Sequence, residues 1–170
     1  MSEACSVVII DVPKDKAWDR LRDLSLAHYY VPGIVRTEIT TDQKQGVGAS
    51  RKVFQAKGGY LDETVTEWDE GSGFRIRLHK GPKDTPFKNA YFRYQLDSTA
   101  DNKTRFTATM GYTPPLGAIG SVIDTLLLNR IISSVIRDIA LSMKVFYETG
   151  KPTTKAQLKK VKKTAVTFDE

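Results

Sequence analysis

Between Pro115 and Pro152 the chain contains no proline, is rich in leucine, isoleucine and valine, and closes on Gly150. At about 100° per residue, Leu128, Ile132, Val135, Ile139, Met143 and Phe146 fall on one helical stripe, and Arg130, Ser134, Arg137 and Lys144 fall opposite. Glycine followed by proline is a stop signal. The spacing predicts one helix from Leu116 to Thr149, roughly 30 residues and far longer than the usual globular helix. An apolar stripe of that length needs a cover along all of it, and this requirement constrains the rest of the fold.

The preceding residues supply a cover of period two. Phe74, Ile76 and Leu78 alternate with Arg75, Arg77 and His79, and Phe106, Ala108, Met110 and Tyr112 alternate with Arg105, Thr107 and Thr109. Strand character extends over Ile34–Thr41, Ala49–Ala56, Tyr60–Trp68, Phe74–His79, Asn89–Asp97 and Thr104–Tyr112. Gly46, Gly48, Gly58-Gly59, Gly71, Gly73, Gly81-Pro82 and Asp101-Asn102 punctuate these segments as hairpin turns would. Before them, CSVVIIDV at Cys5–Val12 is a β-branched strand. Pro13 then opens a helical pattern through Ala17, Trp18, Leu21 and Leu24, with a second short helix before Pro32-Gly33. The pattern is α+β: one strand, two short helices, a run of antiparallel strands and a long helix over the apolar face of the sheet.

Composition narrows the function. With 170 residues, 40% of them apolar, the chain makes one globular domain. Lys+Arg 26 against Asp+Glu 20 gives +6, but Lys151, Lys155, Lys159, Lys160, Lys162 and Lys163 set against Asp169 and Glu170 place +4 of it after residue 148. The body is nearly balanced, which argues against a dedicated nucleic-acid binder. One cysteine, Cys5, allows no internal disulfide, and with two distant histidines, His28 and His79, no metal cluster is expected. An acidic N-terminus without a secretory pattern, and apolar runs too short for a bilayer, point to the cytoplasm. There is no Ser-His-Asp arrangement, no Gly-x-Ser-x-Gly elbow, no phosphate loop and no dinucleotide fingerprint, so no cofactor is expected.

VPKDKAWDRLRDL after the first strand, HYYVPGIVRTEI leading into the second, GVGASRKV, GGYLDETVTEWDE and TATMGYTPP before the long helix follow one another across residues 5–148. This succession resembles the START-like superfamily, also called helix-grip or birch-pollen-allergen-like, and within it the bacterial polyketide cyclase/dehydrase and lipid-transport group. The resemblance implies a helix-grip fold, in which a curved antiparallel sheet wraps around the long C-terminal helix with two short helices after strand one. Residues 1–150 would form the ligand-binding domain and 151–170 a basic, flexible tail. It implies a cavity for a small hydrophobic molecule such as a lipid or polyketide-like compound. Some members of the superfamily catalyse cyclisation or dehydration, while others bind or carry.

Few polar residues can orient such a ligand. Arg51 and Glu63 match the Arg of the family's Gly-x-Gly-x-x-Arg stretch and its strand-four Glu. On adjacent strands they can pair across the sheet, either in the pocket or as a rim ion pair. Tyr30 stands where the family places an aromatic near the pocket entrance. Tyr94 and Tyr112 alternate with apolar neighbours and line either the cavity or the core. Thr125 and Asn129 flank the inward stripe of the long helix, with Ile132 on it. In an enzyme reading, Glu63, Arg51 or His28 would supply acid–base help. The helix start, Ile119–Leu127, is apolar nearly all round, which suits a covering loop, a pocket mouth, a homodimer contact, another protein partner or a transient membrane contact. The lysines of the tail would then meet anionic headgroups.

Overall fold

The computed structural model describes residues 2–79, 88–113 and 122–164, except for the side chains of Lys88 and residues 122–126. Strands β1 (Ser2–Ile10), β2 (Ile34–Ile39), β3 (Ser50–Gln55), β4 (Tyr60–Asp69), β5 (Gly73–His79), β6 (Lys88–Ser98) and β7 (Thr104–Thr113) form one antiparallel sheet in the order β1-β7-β6-β5-β4-β3-β2. The first two strands in sequence are therefore its opposite edges. The segment that joins them must cross from edge to edge, and it closes one end of the curved sheet. That segment holds helix α1 (Lys14–Leu21), a 3-10 turn at Leu24–Leu26 and helix α2 (Ala27–Tyr30). The Pro13 carbonyl accepts from Ala17 N, and Ala17, Trp18 and Leu21 are buried. Asp23 caps the 3-10 turn through Ser25 N at 3.0 Å.

The long helix α3 (Val122–Thr149) lies against the concave face. Cross-strand register brings Val65, Ile76, Phe92, Met110 and Ala4 into one row, and Phe74, Tyr94, Ala108 and Ser6 into the next. Onto these rows the helix sets Ile132, Ile136, Ile139, Ala140, Met143, Phe146 and Tyr147, all buried. Each isoleucine so covered contributes about 1.5–3 kcal/mol. Val135, expected on this stripe, is 49% exposed, and Ile136 takes its place. A sheet touches only one side of a helix, so the buried arc centres on Ile136 and leaves Val135, some 100° round, in solvent. Arg20 of α1 donates to the Phe146 and Tyr147 carbonyls and ties α1 to the end of α3.

Gly73 is required where β5 starts. A Cβ there would stand 2.1 Å from the Tyr94 carbonyl oxygen of the neighbouring strand.

The expected tail, residues 151–170, contains one further helix. Lys155–Thr164 form helix α4, which packs on α3. Thr154 and Gln157 make a capping box, with Gln157 N donating to Thr154 Oγ1 and Thr154 N to Gln157 Oε1. Leu158 and Val161, three residues apart and so on one helical face, pack against the core, and Lys162 pairs with Asp138 at 2.7 Å. Thr153 anchors the link by donating to the Tyr29 and Ser142 carbonyls. The predicted helix start at Leu116, and residues 165–170, lie outside the described residues.

Candidate functional site

Ile39, Arg51, Glu63 and Leu78 form one row across β2, β3, β4 and β5. The row faces inward, and the structure buries the pair at its centre: Arg51 is 2% and Glu63 8% exposed. Arg51 Nε donates to Glu63 Oε2 at 2.6 Å, and Nη1 donates to the Leu24 carbonyl at 2.9 Å. The rim alternative fails because the 3-10 turn lies over the guanidinium. Burial, the largest single influence, would lower the Arg51 pKa, but Glu63, Tyr30 and Tyr94 together outweigh it and hold the group well above its ordinary range.

Three tyrosines gather around this cation. Tyr30 of α2 stands 6.4 Å, ring to ring, from Tyr94 of β6 and from Tyr147 of α3, and stacks on Phe146 at 6.1 Å. Burial pushes all three hydroxyls above the tyrosine range, Tyr94 and Tyr147 well above it. At Tyr30 the nearby Arg51 is the main opposing influence. All three therefore stay protonated and can donate. The Tyr30 and Tyr147 hydroxyls are buried without an aligned hydrogen-bond partner. A buried unpaired hydroxyl costs about 1–3 kcal/mol, so this end of the concave face holds unsatisfied donors beside a neutralised cation.

Toward the start of α3 the face changes character. The Tyr112 hydroxyl donates to Asn129 Oδ1 across the sheet–helix boundary. Ile132 is buried, and the side chain of Thr125 lies outside the described residues. Leu61, Leu78, Met110 and Leu128 occupy inward-facing or helix-stripe positions and pack against the core, yet they are only partly buried.

His28 does not join the Arg51–Glu63 pair by any hydrogen bond. Its Nδ1 hydrogen-bonds Thr37 Oγ1 at 3.2 Å, and its ring meets Tyr29 edge-on at 4.4 Å. It lines a cavity of about 320 Å³ under the start of α4, with Val31, Ile34, Val35 and Leu158. His79 is partly buried and accepts from Arg77 Nε, and burial together with Arg77 lowers its pKa. No group of acidic, histidine or cysteine side chains among the described residues could hold a metal ion. Of the apolar helix start, Ile119–Leu126 lies outside the described side chains, and Leu127 is exposed.

Sequence reading missed Tyr147 and the Leu24 carbonyl. Tyr147 carried a signal, since it follows Met143 by four residues on the inward stripe. A main-chain carbonyl carries none.

The model of the polyketide cyclase / dehydrase and lipid transport family matches residues 2–144. Among solved structures, a START superfamily protein from Mycobacterium smegmatis aligns with a TM-score of 0.70 at 11% identity, covering 88% of this chain and 99% of that one. XoxI from Bacillus cereus aligns at 0.69 and 14% identity, over 86% of this chain and 96% of its own. Ara h 8.0201 aligns at 0.61 and 16% identity, over 84% and 97%. At these identities the likeness is one of fold. A search of curated proteins finds no match.

Proposed function

Because this chain belongs to the polyketide cyclase / dehydrase and lipid transport family, we propose that it binds one small hydrophobic molecule between the concave face of the sheet and α3. The observation that carries this reading is the partial exposure of Leu61, Leu78, Met110 and Leu128 at positions a filled core would bury. An apolar ligand that covers them gains about 25 cal/mol per Å² removed from water. The Tyr30 and Tyr147 hydroxyls would meet its polar end, so a carbonyl or hydroxyl oxygen suits the ligand. Arg51 is neutralised by Glu63 and so does not call for a full anion.

The same ion pair weighs against acid–base chemistry. Glu63 Oε2 is already engaged by Arg51 Nε at 2.6 Å and His28 Nδ1 by Thr37 Oγ1, so neither group stands free beside a substrate. Binding and carrying are the better-supported roles.

Titration with the uncharged probe N-phenyl-1-naphthylamine tests the reading. A saturable rise in fluorescence at one probe per chain, reversed by long-chain fatty alcohols, is expected, with affinity at least ten-fold weaker in Met110→Trp or Leu128→Trp. Binding that does not saturate, or that both fillers leave unchanged while circular dichroism shows the native fold, would remove the proposal.

A further inference from the structure

The outer face of α3 is divided into two halves. Over its C-terminal half lies α4, which brings Leu158 and Val161 onto the core and ends beside Asp138 through Lys162. Over its N-terminal half, Leu127, Ile131 and Val135 stand 56%, 53% and 49% exposed. They recur every four residues and so form one ridge, about 12 Å long. Asp138 follows Val135 by one turn on the same face, so the end of α4 lies against the end of the ridge. Exposed large apolar side chains in a continuous line mark a contact surface.

Apart from Asp138, which Lys162 pairs, the charge described beside the ridge is positive. Lys155, Lys159, Lys160 and Lys163 are exposed on α4, none in an ion pair among the described residues, and Arg130 is exposed next to Ile131. Helix α4 lies beyond residue 144, where the family match ends.

We propose that this face, the Leu127–Ile131–Val135 ridge with the lysines of α4, docks on an anionic lipid bilayer. The ridge would enter the boundary between headgroups and acyl chains, and the lysines would lie among the phosphates, as an amphipathic surface helix does. A second copy of the chain fits less well, because a two-fold contact through the ridge brings two lysine-rich helices close together in a chain of net charge +6. Nucleic acid would meet the lysines but leave the ridge in water. The inference does not depend on what the concave face binds.

Vesicle flotation tests it on the full chain. The protein should float with vesicles of phosphatidylcholine containing about 30% phosphatidylglycerol, not with phosphatidylcholine alone, and 1 M salt should release it, since the Debye length falls to about 3 Å. Lys159→Glu/Lys160→Glu/Lys163→Glu should lower partitioning on the order of a hundred-fold. Ile131→Ser/Val135→Ser, which leaves charge untouched, should lower it at least ten-fold. Circular dichroism checks the fold of both variants, and the salt test needs neither. Equal binding to neutral vesicles, insensitivity to salt, or binding unchanged in either folded variant would overturn the proposal. So would no vesicle binding together with a dimer in sedimentation velocity that Leu127→Glu abolishes, or tight binding of an oligonucleotide that Ile131→Ser/Val135→Ser leaves intact.

Discussion

Replacing Glu63 with Gln keeps the shape of the row across β3 and β4 and removes its charge. At 2.6 Å, with an effective dielectric constant near 20, the carboxylate attracts the guanidinium by about 6 kcal/mol before desolvation is counted. Glutamine retains one hydrogen bond at most, and the Leu24 carbonyl carries no full charge. The cation would remain 2% exposed without a counterion. Breaking a buried pair from one side costs about 3–5 kcal/mol. In a domain of this size 1 kcal/mol shifts Tm by about 2–4 °C, so Tm should fall by roughly 6–20 °C. Urea unfolding at pH 7, followed by circular dichroism, gives the free energy directly. The double variant Arg51→Met/Glu63→Leu should recover most of the loss, because two apolar side chains need no counterion. A fall below about 1 kcal/mol in Glu63→Gln, or a double variant no better than the single, would refute the view that this pair is buried and mutually dependent.

Tyr147→Phe deletes a buried hydroxyl without a partner, so it should leave the ligand-free protein as stable as before or about 1 kcal/mol more so, while weakening ligand binding. Urea unfolding and probe titration on the same samples read both effects. Because burial raises the pKa of Tyr30, Tyr94 and Tyr147, the unfolded chain releases these protons first as pH rises. Their contribution is thus whole below about pH 10 and is lost above it, and Tyr147→Phe should flatten the alkaline limb of a stability–pH curve. Gly73→Ala forces a Cβ against the Tyr94 carbonyl and should cost about 1–3 kcal/mol or more by thermal unfolding. His79 should titrate below the usual histidine value in an NMR pH series, because burial and Arg77 both oppose its cation.

The main lines of the fold were legible because they follow from period alone. A stripe of period 3.6 through Ile132, Ile139, Met143 and Phe146 and an alternation through Phe74, Ile76 and Leu78 left little choice of partner. The pairing of Arg51 with Glu63 was legible too, since a hairpin centred near Gly58-Gly59 sets those residues opposite each other. Their burial was not, because it depends on a 3-10 turn whose main-chain carbonyl closes over the guanidinium. Helix α4 was hidden by its charge. Five lysines between 155 and 163 suggested a solvated tail, while the signals that decide the matter, Leu158 with Val161 and the Thr154–Gln157 capping box, involve only four residues. Tyr147 was passed over because Phe146, its neighbour, already filled the stripe.

The most direct test of ligand binding beneath the concave face is native mass spectrometry of gently purified protein, before and after exposure to a lipid extract. A one-to-one adduct is expected, released by organic solvent, carrying a carbonyl or hydroxyl group, and absent from Met110→Trp. A mass that stays that of the bare chain in every lipid panel, or an adduct that Met110→Trp retains in full, would contradict it.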